Sequence, residues 1–154
     1  MMGLDMYLEL ITKDNEPKTA KEYYDKYNAA YESGIDFKEK VAYWSKANAI
    51  HNWFCNHCEC LEDQVLYKVT REDVFRLIGT ICRVLAASEV DPETNMIKDS
   101  SLAQELLPTC RGCFFGSTDY DDLYIDKLES SIEELGKALG AMEKDTVLFY
   151  YASW

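Results

Sequence analysis

The chain has 154 residues, of which 47% are hydrophobic and 29% charged, with 28 acidic against 16 basic side chains and a formal charge of −12. That length is typical of one domain and needs no staples to hold a core. The charge speaks against nucleic-acid binding through phosphate contacts, which requires clustered Lys and Arg.

The elements follow in chain order. Residues 4–11 read as a strand with Leu4, Met6, Leu8 and Leu10 on one face. Pro17 is expected to open a helix that Gly34 closes, carrying Ala20, Tyr23, Tyr24, Tyr27, Ala30 and Tyr31 on a single stripe. A second helix is predicted from Asp36, with Glu39 in the capping-box place, to about Phe54. Gln64 to Val69 reads as a short strand. Thr70 then caps a third helix, with Asp73 reciprocating and Val74, Leu77, Ile78, Ile81 and Leu85 forming the buried stripe. Residues 88–100 read as a loop, and Leu102 to Leu107 as a short helix ended by Pro108. After the loop of residues 109–122, Ser117 or Thr118 is the expected cap of a fourth long helix reaching about Leu139. Tyr124, Leu128, Ile132, Leu135 and Leu139 lie on one side of it. The chain ends in a β-rich run, Thr146 to Trp154. The expectation is one α+β domain over residues 1–154, about four helices with a small sheet that includes the N- and C-terminal strands.

No apolar run approaches the roughly 20 residues of a membrane helix. Met1 to Asp5 lacks the basic start and apolar stretch of a signal peptide, which points to the cytoplasm. In that compartment the six cysteines read as thiols or metal ligands rather than disulfides. Cys55-x-x-Cys58 and Cys110-x-x-Cys113 are two pairs with chelating spacing, and His57 and Cys60 are spare ligands. Three readings stand: two unrelated reduced pairs, one structural zinc on Cys55, Cys58, Cys110 and Cys113, or a redox dithiol.

On the predicted second helix Trp44, Asn48, His51 and Cys55 share a stripe, beside a more apolar one of Tyr43, Ala47, Ile50 and Phe54. Aromatic rings, amides and an imidazole suit a base or a sugar; a core helix with satisfied polar groups is the plainer reading. Asn52 extends the polar set. The loop Phe114 to Asp121 adds Phe115, Ser117, Thr118 and Tyr120, with Gly116 for an unusual backbone angle. No Lys follows that glycine as in a P-loop, and the nucleophile-elbow spacing is missing. A lone His without a placed carboxylate or nucleophile makes no acid–base site. On the fourth helix Asp122, Asp126, Glu129 and Glu133 line up at spacings of 4, 3 and 4, as a solvated face or a docking row for a basic partner.

Several stretches together resemble a family of small phage and prophage proteins without an established activity. They are Met2 to Leu8, Tyr43 to Phe54, Leu107 to Thr109, Phe114 to Asp121, and Ser153 with Trp154. The resemblance spans most of the chain and implies a phage context in a host cytoplasm, with no catalytic residues to transfer. Residues 14–38 look like a helical insertion, and Cys at 55, 58, 110 and 113 departs from the family pattern. The expectation is a non-enzymatic, host- or defence-directed binding protein, able to self-associate. It would sequester a small nucleotide-like ligand with Tyr43, Trp44, Asn48, His51, Asn52, Phe115, Ser117, Thr118 and Tyr120. The alternatives are an acidic decoy docking on a basic host protein, or a zinc-stabilised interaction module. Direct nucleic-acid and membrane partners are not expected.

Overall fold

In the computed structural model, residues 3–58 and 64–154 are described, and Cys58 is described by its backbone alone. Four strands form one antiparallel sheet: β1 (Asp5–Thr12), β2 (Lys38–Ser45), β3 (Tyr67–Val69) and β4 (Thr146–Ser153), in the order β2-β1-β4-β3. The N- and C-terminal strands pair along their whole length, Asp5 opposite Ser153 and Thr12 opposite Thr146. The alternation in β1 works as expected. Leu4, Met6, Leu8 and Leu10 are buried on one sheet face.

That face is covered by helices. Among the described residues these are α2 (Asn48–Cys58), α3 (Arg71–Ala86), α4 (Ser101–Leu106) and α5 (Asp122–Ala141). Val74, Leu77, Ile81 and Val84 of α3 join Leu128, Leu135 and Ala138 of α5 and the sheet in one core. Phe54 of α2 stacks on Tyr150 of β4 at 4.0 Å between centroids. The α3 start is as expected: Thr70 Oγ1 accepts from Asp73 N–H and an Asp73 oxygen accepts from Thr70 N–H. Of the expected α3 stripe, Ile78 and Leu85 are half-buried, and Val84 is buried in addition.

The opposite sheet face carries α1 (Ala20–Ser33), inside the connection between β1 and β2 where the 14–38 segment falls. Tyr23 is its single buried residue, against Phe37 and Tyr151. Beneath it Lys38 Nζ donates to Glu9 Oε1 at 3.0 Å and to Tyr23 Oη at 2.8 Å. Burial raises the Glu9 carboxyl above its ordinary pKa, and Lys38 offsets part of that rise.

Three expected boundaries are corrected. Pro17 does not open α1. Thr19 caps it through Glu22 N–H, and Gly34 closes it at φ 72°. Residues 38–45 are strand, not helix. Asp36 accepts a local bond from Lys38 N–H, and the segment pairs with β1 around a bulge at Leu8/Glu9. Lys46, at φ 55°, then turns the chain into α2. Neither Ser117 nor Thr118 caps α5. Asp121 does, accepting from Tyr124 N–H at 3.0 Å, while Ser117 Oγ takes Asp119 N–H. No described helix is long and apolar enough to cross a membrane.

Candidate functional site

Because residues 38–45 are a strand, Tyr43 and Trp44 leave the helical stripe. Trp44 is buried and donates Nε1–H to Ser131 Oγ at 2.9 Å. Tyr43 is on the other sheet face, with its hydroxyl on Asp5 Oδ1 and its N–H on Glu134 Oε2. Asn48, His51 and Cys55 remain on one face of α2, and that face is turned inward.

Asn48 is 3% exposed and fully engaged. Its Nδ2 donates to the carbonyls of Phe115 at 3.1 Å and Ser117 at 2.9 Å, and its Oδ1 accepts from Cys110 N–H at 3.2 Å. One turn on, Asn52 Nδ2 donates to Pro108 O at 3.0 Å. Tyr120 Oη accepts from Thr109 N–H at 3.1 Å, and Thr109 Oγ1 donates to Thr118 O. The amides predicted to read a ligand therefore fasten the loop of residues 108–120 to α2.

His51 is 2% exposed. Its Nδ1 is 2.6 Å from Tyr150 Oη and its Nε2 3.5 Å from Cys55 Sγ, with the Phe115 and Trp154 rings edge-on. Burial pushes its pKa down to about 4, so it is a neutral core imidazole at pH 7. Burial also raises the thiol of Cys55 beside it, and that of Cys110 on the loop to about 11. That opposes thiolate nucleophile chemistry.

The loop and α2 bring Cys110 near Cys55, whose proximity adds to the rise at Cys110. Cys113 is exposed. Among the described residues no three His, Cys, Asp or Glu side chains meet closely enough to hold a metal ion. The side chain of Cys58, and all of Cys60, lie outside the described residues. His57 instead pairs with Asp73 at 3.0 Å.

A cavity of ≈ 220 Å³ opens beside this clamp, where the starts of α2 and α5 meet the loop. Ala49, Ile50, Leu123, Tyr124 and Leu128 give it apolar walls; Lys46, Lys127, Thr109, Ser117, Asp119 and Asp121 give it polar ones. Of the residues expected to bind a ligand, only Asn48 and Ser117 line it. Tyr43, Trp44, His51, Asn52, Phe115, Thr118 and Tyr120 do not.

The local sequence explains the opening. The first intrahelical bond of α2 runs from His51 N–H to Ala47 O, which puts alanine at the cap position. Alanine has no acceptor for the first amides, and the Asn48 side chain is committed to the loop. The N–H groups of Asn48, Ala49 and Ile50 thus have no protein acceptor among the described residues, beside the cavity. Gly116, at φ +89°, permits close approach: a Cβ there would lie 3.1 Å from Lys46 Cβ and 3.2 Å from its carbonyl oxygen.

No family model, curated protein or solved structure matches the chain.

Proposed function

We propose that the chain is a non-enzymatic binding protein that holds a small ligand in the cavity between α2 and α5. The observation that supports this best is the cavity itself, which combines apolar walls with Lys46, Lys127, Asp119, Asp121 and Ser117. Its volume falls below the roughly 300–1,000 Å³ of drug-sized sites, which favours holding one part of a nucleotide while the rest stays outside the mouth. Uncapped amides and Lys46 suit an anionic group, with Lys127 beside them on Ser45 O at 2.7 Å; Asp119, and the Asp121 oxygen not used in capping α5, suit hydrogen-bond donors on the same molecule. A mononucleotide has both. The resemblance to phage proteins fits a sequestering role against a host or defence nucleotide.

Leu123 lines the cavity but is an exposed residue, so Leu123→Trp fills the mouth without touching the core. Calorimetric titration with nucleoside monophosphates is expected to show binding by the wild type and at least a tenfold weaker Kd in the variant, at unchanged Tm. Equal affinity in both proteins would place the ligand elsewhere.

A second reading has its own observation. Asp122, Asp126, Glu129 and Glu133 are all exposed on α5, and none forms an ion pair with a described cation. As an acidic decoy, this row would steer a basic partner onto α5. Asp126→Lys with Glu129→Lys should then slow association with a polylysine probe steeply at low salt and little at high salt. Wild-type association rates at both salts would leave the row as a solubilising face.

The zinc-stabilised reading is decided by metal analysis of the purified protein. About one zinc per chain supports it; a metal-free folded chain removes it.

A further inference from the structure

We propose that the outward face of α1 is a self-association surface on which a second copy of the chain docks, tyrosine stripe against tyrosine stripe. The helix shows the wrong amphipathicity for a helix that serves only its own core. It buries Tyr23 alone, while Tyr24, Tyr27 and Tyr31, spaced as one helical stripe, are 52%, 48% and 84% exposed. Ile35, just past the helix, is equally open to solvent. Exposed aromatic stripes of this kind mark interfaces, because tyrosine brings a large contact area at little cost in side-chain entropy and keeps a polar tip.

Beside the stripe is a groove of ≈ 320 Å³ lined by Tyr27, Ala30, Tyr31, Gly34 and Asp36. Nothing stands within 4 Å of where a Cβ would be on Gly34, so that side of the groove is open. Asp36 uses Oδ1 for Lys38 N–H. Its second oxygen remains as an acceptor at the groove's edge, suited to a tyrosine hydroxyl from the other copy.

Charge selects the occupant. Across residues 17–36, Lys18, Lys21 and Lys26 offset all but one of Glu22, Asp25, Glu32 and Asp36, and Lys21 pairs with Asp25 at 3.1 Å. The chain as a whole carries −12, so most of the excess acid lies elsewhere on it. Two copies repel wherever acidic faces meet, and the near-balanced face of α1 joins a low repulsion to an exposed aromatic stripe. A strongly basic partner gains little there. The same patch on both subunits gives a two-fold, self-complementary contact.

Sedimentation velocity over a wide dilution series tests this. The wild type is expected to form a reversible dimer. Added salt should tighten it, because salt screens repulsion between the acidic bodies more than it weakens a neutral aromatic contact. Tyr24→Glu with Tyr31→Glu should weaken the dimer at least tenfold, with circular dichroism confirming the fold. If that pair disturbs the helix, Tyr31→Ser alone, at the most exposed position of the stripe, should still weaken it measurably. A wild type that stays monomeric throughout overturns the proposal. So does a dimer that is indifferent to the tyrosine changes, or one that salt dissociates.

Discussion

Replacing Asn48 with alanine is expected to destabilise the protein by about 3 kcal/mol or more, because it leaves buried polar groups unpaired at both ends of the contact. The amide ties α2 to Phe115 O, Ser117 O and Cys110 N–H, and the Phe115 contact is fully buried, so its carbonyl loses its partner if Asn48 shrinks in place. For a domain of this size such a loss lowers Tm by roughly 6–12 °C. The loop also forms one wall of the cavity, through Thr109, Gly116 and Ser117, so ligand binding should fall together with stability. Thermal denaturation followed by circular dichroism checks the first effect and calorimetry the second. An unchanged Tm would mean that the loop is held by something other than the amide.

The second large effect lies across the sheet. Lys38→Met should cost about 3–5 kcal/mol, because it strands a buried carboxylate. Glu9 is 1% exposed, its Oε1 is paired only with Lys38, and its Oε2 already has no hydrogen-bond partner among the described residues. The ammonium also lies over the rings of Tyr23, Tyr27 and Tyr151 at 5.3–5.7 Å, so its loss loosens α1 as well. The double variant Glu9→Leu, Lys38→Met removes both charges and should recover most of the stability. Urea denaturation of the three proteins measures this. A double variant as unstable as Lys38→Met would show that the cost lies in lost packing rather than in the stranded charge.

The parts of the fold that depend on local pattern were legible in the residues. The alternation of Leu4, Met6, Leu8 and Leu10 gave β1, and the Thr70–Asp73 box gave the start of α3. The stretch of residues 38–45 misleads because Asp36 and Glu39 have the spacing of a capping box. Its strand state comes from pairing with β1, across a bulge that no local pattern announces. The α5 cap was misplaced because Ser117 and Thr118 are good capping types, yet the extended run to Asp121 bridges to Met96 and delays the helix.

For the site, two of the residues that sequence marks for a ligand, Asn48 and Ser117, line the cavity. Whether the polar face of α2 meets solvent or the loop depends on packing between segments far apart in sequence, and periodicity is blind to that. The cavity lining missed by the sequence reading, Lys46, Ala49, Leu123 and Lys127, had one usable signal. Ala47 opens α2 with no Ser, Thr, Asp or Asn in the cap position, leaving amides in need of an acceptor.

The most direct test of the binding site is amide-resolved NMR of the intact chain titrated with nucleoside monophosphates, with inorganic phosphate as the reference anion. A ligand in the cavity should shift the amides of Asn48, Ala49, Ile50, Gly116 and Ser117 together and saturably, more strongly for the nucleotide than for phosphate. Amides that stay in place at these positions, while the rest of the spectrum is that of a folded protein, would contradict it.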